Sequence, residues 1–181
     1  MTDPAFFGYG SLVNLATHDY ADPQMTTVTG WRRIWRDTTH RQLAILSVTP
    51  CPDTTLRGIA ATVPNGDWAA LDAREAAYQR DQVAGREGLS IYQITQNITA
   101  PLSGPYPILL SYLDVVVQGY FRSFGADGVA GFFATTDGWA RPILNDRTDP
   151  IYPRAQTLDA AETALVDRHI ALLPAQVQQA E

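Results

Sequence analysis

A change in residue pattern near position 64 constrains the fold of this chain more than any other feature. Three segments before it are typical of strands because they are rich in β-branched and aromatic side chains: residues 27–36, 43–48 and 56–63. The short segments between them, including a proline-rich turn predicted at 50–53, favour an antiparallel meander. After the turn at 64–67, good helix formers dominate. Strands followed by helices predict one α+β domain over residues 1–181, whose meander could curl into a small β-barrel flanked by helices.

Further elements follow from the same kind of pattern. Helices are predicted over residues 68–80, 108–124 and 158–179, and a strand is predicted within 88–95. The second helix is apolar almost all round, so we expect it to be buried. The third helix is expected to carry its acidic residues on a polar side, namely Asp159, Glu162 and Asp167.

Composition and charge restrict the partners of such a domain. The 181 residues are 45% hydrophobic and 18% charged, and their net charge of −6 argues against a nucleic-acid partner. The arginines of the second strand, Arg32, Arg33 and Arg36, are interpreted as a solvated face. The single cysteine, Cys51, excludes an intrachain disulfide. No metal site is expected, because the three histidines lack metal-ligand spacing.

The sequence also predicts where the protein resides. Its first residues contain no basic segment followed by an apolar run, so no signal peptide is expected. No stretch approaches the ~20 apolar residues that span a bilayer. We therefore expect a cytoplasmic protein without a membrane partner.

A glycine-containing motif follows the first predicted strand, which covers residues 6–10. The motif reads Gly8-Tyr9-Gly10-Ser11. Glycine permits a sharp turn and a close approach of another backbone or a ligand. The backbone N–H groups of such a turn can form a nest for a carboxylate or an oxyanion. An ordinary glycine-containing strand end explains the same residues equally well.

Glu75 is an acidic residue placed on an apolar helix stripe. At about 100° per residue, it falls on the same side of the predicted helix as Trp68 and Tyr78, while the opposite side carries alanines. A carboxyl group on the face that meets the core is partly desolvated, and burial raises its pKa towards neutrality. Such a group suits general acid–base catalysis. The structural alternative is a buried glutamate paired with Arg32 or Arg33.

Other chemistries fit the sequence less well. Asp72 could complete a two-carboxylate site of the glycosidase kind, but it lies at the edge of the stripe, where capping or solvation explains it. Ser11 is not embedded in the pattern of a nucleophile elbow. The two glycines of the N-terminal motif lack the third glycine and the βαβ unit of a dinucleotide site.

Two motifs together resemble the γ-glutamylcyclotransferase superfamily, especially its ChaC-like branch. The run Phe7-Gly8-Tyr9-Gly10-Ser11-Leu12 is similar to the opening signature of that family. The run Leu71-Asp72-x-Arg74-Glu75-x-x-Tyr78 is similar to its catalytic-glutamate helix. A looser match, Tyr112 followed by Gly119, resembles a helix with a substrate-contacting tyrosine. The resemblance covers roughly residues 6–119, implies a small β-barrel flanked by helices, and leaves residues 137–181 without a role.

The resemblance implies an enzyme that converts a γ-glutamyl compound to 5-oxoproline and releases an amine or an amino acid, with no cofactor and no metal. Glu75 would be its general acid and base. The residues implied for substrate binding are Tyr9, Gly10, Ser11 and Leu12, through their backbone amides, and Tyr112.

Several alternatives stay open at this point. The small-molecule substrate could be glutathione, a γ-glutamyl amino acid or a γ-glutamylamine, and the oligomeric state is unknown. A binding or interaction module that keeps the same fold and cavity but has lost catalysis is the second hypothesis.

Overall fold

A long two-stranded ribbon forms the centre of the larger sheet. The computed structural model describes residues 4–38, 42–94 and 105–179. Strands β2 (Ala21–Asp37) and β3 (Ala44–Thr62) pair antiparallel along most of their lengths, as expected for the β-branched and aromatic segments in them.

The other strands extend this ribbon on both sides. Strand β1 (Ala5–Gly8) pairs antiparallel with β3 and parallel with β5 (Leu89–Gln93), and β4 (Gln79–Gln82) forms the edge beyond β5. A short strand β7, Thr136–Asp137, adds to β2, so the order is β4-β5-β1-β3-β2-β7. In the described part of the chain this ladder has two edges, and hydrogen bonding does not close it into a barrel. The architecture is therefore a mixed sheet with helices, an α+β fold.

A bulge replaces the turn predicted at residues 50–53, so that prediction is wrong. The chain continues through this region as part of β3. The register shifts here, because Thr29 faces Thr55 while the next residue, Gly30, faces Cys51. Proline cannot donate to a ladder, and a bulge accommodates it without reversing the strand. The two predicted strands 43–48 and 56–63 are thus one bent strand.

The predicted helix 68–80 is also wrong in its length. Helix α1 spans only Ala69–Arg74, and Glu75 caps its C-terminus with φ −99° and ψ 31°. The chain then enters β4, which pairs with β5. Helix propensity is a weak preference, and the antiparallel pairing with the next strand, β5, overrides it. Glu75 therefore lies at the end of a short helix rather than in the middle of a long one.

Helix α2 packs against the sheet and supplies much of the core. It spans Leu110–Ala134, two residues later than the predicted start at 108 because Ile108–Leu109 form strand β6. Gly125, with φ 65°, interrupts its helical geometry close to the predicted end at 124. Most of its first half is buried, as predicted. No helix in the described residues is long and apolar enough to cross a membrane.

The C-terminal helix is shorter than predicted. Helix α3 spans Ala160–Ile170, and residues 177–179 form strand β9, which pairs with β8 (Ile143–Asn145). Glu162 is buried rather than exposed on a polar side, because it lies against α2 and accepts hydrogen bonds from Gln118 and Arg122 there.

Candidate functional site

Buried side chains form hydrogen bonds to the backbone of the loop that follows β1. The carbonyl oxygen of Tyr9 accepts hydrogen bonds from Arg33 Nε at 2.9 Å and from the Tyr120 hydroxyl at 3.0 Å. In a trans peptide the C=O and the following N–H point in opposite directions, so the N–H of Gly10 is directed away from Arg33. A 3₁₀ turn, Ser11–Val13, begins at this point, and the first N–H groups of such a turn have no partner within it.

Arg33 is fully buried, which contradicts its interpretation as part of a solvated face. Besides the Tyr9 carbonyl, its guanidinium donates to the Arg57 carbonyl at 2.7 Å and to the Thr135 hydroxyl at 2.7 Å. It also contacts the Tyr120 hydroxyl and lies against the Phe132 ring. No carboxylate of the described residues pairs with Arg33, so carbonyl dipoles and aromatic faces stabilise its charge.

Tyr112 covers the loop from the other side. A Cβ atom built on Gly10 would lie 2.7 Å from the Tyr112 hydroxyl oxygen, which is closer than two non-bonded heavy atoms approach. Only glycine leaves room for this hydroxyl at that position. Farther along the same helix, Gly119 allows α2 to approach the backbone of Asn14, where a Cβ would lie 2.6 Å from its nitrogen. The two glycines thus fix how closely α2 lies against the loop.

Glu75 is brought to the loop by its neighbour Arg74. Arg74 donates to the carbonyl and the hydroxyl oxygens of Thr17, which follows the loop, at 3.0 and 3.2 Å. Its Nε also lies 3.2 Å from a Glu75 carboxylate oxygen. Arg74 is therefore the arginine that pairs with Glu75. The two partners that the sequence suggested are engaged elsewhere, since Arg32 pairs with Asp137 and Arg33 donates to the Tyr9 carbonyl.

The Glu75 side chain is 15% exposed. Burial raises its pKa above the usual value, and the positive charges of Arg74 and Arg154 oppose this rise. A partly desolvated carboxyl group was expected from the sequence, although on a longer helix.

Every residue that the sequence assigns to the site lines one small recess of about 30 Å³, enough for one small polar group. The lining residues are Phe7, Gly8, Tyr9, Gly10, Ser11, Leu12, Leu46, Glu75, Tyr78, Tyr92 and Tyr112. Glu75 and the N-terminal motif thus face the same space. The chemical roles assigned to these residues stay predictions.

Tyrosine hydroxyls surround this recess, and sequence reasoning did not anticipate two of them. Tyr78, which belongs to the helix stripe and to the motif around Glu75 but was given no role at the site, donates to the Leu46 carbonyl at 2.8 Å. Tyr92 lies on β5 and donates to Asp72 at 2.5 Å, so that Asp72 is engaged outside the recess and does not form a carboxylate pair with Glu75. The parallel pairing of β5 with β1, in which Phe7 faces Ile91, brings Tyr92 beside the loop, and no local pattern signals that pairing.

Burial raises the pKa values of the recess tyrosines Tyr9, Tyr78 and Tyr112. These phenols therefore stay neutral near pH 7 and can donate hydrogen bonds. Among the described lining residues, Glu75 carries the carboxyl group, and burial raises its pKa above the ordinary glutamate value.

A larger cleft of about 470 Å³ adjoins the recess. Ser11, Glu75, Tyr78 and Tyr112 line both spaces, so the recess is continuous with the cleft. The far side of the cleft is formed by Tyr152, Pro153 and Arg154. These residues belong to the C-terminal part of the chain, to which the sequence motifs assign no role.

Buried Asp146 anchors this far wall. Its carboxylate accepts from the backbone N–H of Ser111 at 2.8 Å and from the Ser111 hydroxyl at 2.5 Å, both at the start of α2. It also accepts from the N–H of Ile151 at 2.9 Å. Beside it, Arg147 makes a two-pronged ion pair with Asp114 at 2.7 Å. The segment that precedes Tyr152 is therefore fixed to the same helix that carries Tyr112.

Comparison with known proteins identifies the fold. No protein-family model and no curated protein sequence matches this chain. Among solved structures, a γ-glutamyl cyclotransferase is similar over 91% of this chain and 98% of its own, with a TM-score of 0.54 and 12% identity. An uncharacterized protein from Homo sapiens is similar over 90% of this chain and 97% of its own, with a TM-score of 0.53 and 13% identity.

YkqA from Bacillus subtilis is similar over 97% of this chain, with a TM-score of 0.51 and 15% identity. This chain spans only 56% of the length of YkqA. At such identities the likeness concerns the fold alone. It confirms, for the fold, the resemblance to the γ-glutamylcyclotransferase superfamily that the two motifs predict.

Proposed function

We propose that this chain is a γ-glutamylcyclotransferase, which converts a γ-glutamyl compound to 5-oxoproline and releases an amine or an amino acid. The observation that carries the proposal is the recess shared by the Glu75 carboxyl group and the backbone of residues 9–12. The fold shared with a γ-glutamyl cyclotransferase supports it.

The reaction is an intramolecular aminolysis. The α-amine nitrogen of the substrate attacks its own γ-carbonyl carbon, and the bond between that carbon and the leaving nitrogen breaks. A five-membered lactam forms. Because the nucleophile is tethered to the electrophile, the protein has only to position the chain and move protons, and the reaction requires no cofactor.

Glu75 moves the protons in this proposal. Its carboxylate takes one proton from the α-ammonium group, which frees the nitrogen lone pair, and later gives that proton to the leaving nitrogen. The attacking nitrogen loses a second proton to water as the lactam forms, and the released amine takes up one proton from water to become an ammonium group. The raised pKa of Glu75 makes its carboxylate a stronger base than an exposed glutamate. The adjacent Arg74 guanidinium opposes this rise and so favours the ionised carboxylate with which the cycle starts.

The loop after β1 binds the negative charge. The N–H of Gly10 and the first N–H groups of the Ser11–Val13 turn are suited to the substrate carboxylate or to the oxyanion that develops on the γ-carbonyl. The neutral Tyr112 hydroxyl, which lies over Gly10, hydrogen-bonds the substrate beside them. The small recess fits one such polar group, and the rest of the substrate occupies the cleft.

Turnover of a substrate panel tests the proposal. The purified protein is incubated with glutathione, several γ-glutamyl amino acids and several γ-glutamylamines, and 5-oxoproline is quantified. We expect product from at least one compound and a loss of at least about 100-fold in kcat for Glu75→Gln, since general acid–base groups contribute typically 10²–10⁴-fold. Glu87→Gln, which changes an exposed glutamate in the same way, is the matched control and should keep full activity.

Two results would contradict the proposal. One is the absence of 5-oxoproline with every compound, and the other is full activity in Glu75→Gln. Saturable binding of a γ-glutamyl compound without any turnover would instead support the second hypothesis, a binding module on this fold.

A further inference from the structure

Positive side chains outnumber negative ones among the described residues that line the cleft. Among the described residues that line it, the charged side chains are those of Arg74, Arg154 and Glu75. Arg74 is already engaged, since it pairs with Glu75 and donates to Thr17. Arg154 therefore contributes a positive charge that no acidic residue of the described cleft wall balances.

Arg154 is available to a ligand. It is half-buried, and its side chain forms no ion pair with any carboxylate in residues 4–38, 42–94 and 105–179. It is nevertheless close enough to Glu75 for its charge to lower the pKa of that carboxyl group. The Asp146 anchor and the contact of Tyr152 with Tyr112, whose ring centroids lie 5.0 Å apart, hold the segment before it in place.

The position of Arg154 relative to Glu75 determines which part of a substrate it meets. If Glu75 protonates the leaving nitrogen, that nitrogen lies beside the Glu75 carboxyl group. The recess takes the polar part of the glutamyl group, so the substituent on the leaving nitrogen extends into the larger cleft. In an amino-acid leaving group the carboxylate is two bonds from this nitrogen, within the space that Arg154 lines.

We propose that Arg154 forms a subsite for the carboxylate of the leaving group, so that the preferred substrates are γ-glutamyl amino acids or peptides rather than γ-glutamylamines. This inference rests on the proposed function, because it assumes that the γ-glutamyl group occupies the recess. A guanidinium binds a carboxylate through two parallel hydrogen bonds, which an uncharged or cationic amine cannot accept. A site for a cationic leaving group would instead carry acidic residues around the cleft.

Two substrates that differ only in this carboxylate test the subsite: γ-glutamyl-alanine and γ-glutamyl-ethylamide. We expect wild-type kcat/KM to be at least about tenfold higher for γ-glutamyl-alanine, as a charge-assisted hydrogen bond provides. Arg154→Gln should lower kcat/KM for γ-glutamyl-alanine about 10- to 100-fold, mainly by raising KM, and should bring the ratio between the two substrates close to one. Arg154→Lys keeps the charge and should retain part of the preference.

A surface arginine provides the control. Arg168 lies exposed on α3, outside the cleft, and Arg168→Gln should leave the substrate ratio unchanged. A wild-type ratio of one, or an equal loss for both substrates in Arg154→Gln, would overturn the subsite.

A binding measurement separates this inference from the proposed function. If the wild-type protein forms no 5-oxoproline from either compound, the proposed function fails, and both compounds are then titrated by calorimetry. Binding of γ-glutamyl-alanine that is at least about tenfold tighter, with the difference lost in Arg154→Gln, upholds the carboxylate subsite. Equal binding of the two compounds, or no binding of either, overturns it.

Discussion

Arg33 Nε donates to the carbonyl oxygen of Tyr9 at 2.9 Å, and Tyr9 lines the same recess as Glu75. This bond orients the peptide between residues 9 and 10 and places a buried positive charge behind it. Both effects strengthen the following N–H as a donor to an anion in the recess. Arg33 thus acts on the site through the backbone, without lining the recess itself.

Replacement of Arg33 by lysine should therefore impair catalysis as well as stability. Lysine keeps the charge but cannot supply the same fork of donors, so buried carbonyls lose their partners. We expect a loss of about 1–3 kcal/mol in the free energy of unfolding and a fall of at least about tenfold in kcat. Thr135→Val is the control, since it removes another Arg33 partner but leaves the Tyr9 carbonyl bonded. A similar loss of stability with unchanged kcat in both variants would make Arg33 merely structural.

The contact between Gly10 and Tyr112 predicts a coupled pair. Gly10→Ala places a Cβ against the Tyr112 hydroxyl, and such overpacking costs about 1–3 kcal/mol. Tyr112→Phe removes the oxygen that the Cβ would meet. In the double variant we expect a coupling free energy of about 0.5–3 kcal/mol that offsets the clash, measured by denaturant unfolding of all four proteins. Additive effects would show that the hydroxyl does not lie over the loop.

The raised pKa of Glu75 predicts the acidic limb of the pH–rate profile. Only the ionised carboxylate can take the ammonium proton, so activity falls as pH falls through its folded-state pKa. We expect this limb of kcat to lie above pH 4.5, the ordinary value for glutamate. A limb at or below that value would argue against Glu75 as the base.

The same pKa shift predicts how the free energy of unfolding depends on pH. The dependence has the opposite sign to that of a carboxylate whose pKa an ion pair lowers. Because the folded protein holds the Glu75 proton more tightly than the unfolded chain, stability falls as pH rises from 4.5 through the folded-state pKa. Glu75→Gln removes this dependence. We therefore expect the free energy of unfolding of the variant to increase relative to that of the wild-type protein as pH rises through this interval. Parallel pH profiles for the two proteins would contradict the shift.

The anchor of the far wall can be weakened without touching the recess. Asp146→Asn keeps one acceptor oxygen but turns an NH2 group towards the backbone N–H of either Ser111 or Ile151, and we expect a loss of about 1–3 kcal/mol in the free energy of unfolding. Since Tyr152 and Arg154 follow this anchor, KM should rise more than kcat falls. Asp149→Asn, on the exposed part of the same segment, should change neither quantity. A fall in kcat alone would contradict this division.

Much of the site could be predicted because local chemistry encodes it. The glycines around Tyr9 reflect a close approach that any side chain would block, and Glu75 is an acidic residue among apolar neighbours. Such features are visible in short windows of sequence. The strands of the ribbon and the burial of α2 were predictable for the same reason.

The remaining features depend on contacts between separate segments of the chain. Helix α1 ends at Arg74 because β4 pairs with β5, and the prolines near Cys51 bend β3 because β2 continues alongside. Arg33 is buried because carbonyls from other segments accept its hydrogen bonds. Arg154 reaches the cleft only through the anchor at Asp146. Residue type and spacing carry no signal for any of these.

The recess and the far wall of the cleft come from different parts of the chain, which bears on how such a site can evolve. The segment anchored by Asp146 contributes only the far wall, while Glu75 and the loop after β1 come from the first half of the chain. Conservation of the recess and diversification of the far wall are therefore physically separable. Under the proposed function, exchange of a few residues near Arg154 would change the leaving group while Glu75 and the loop stay the same.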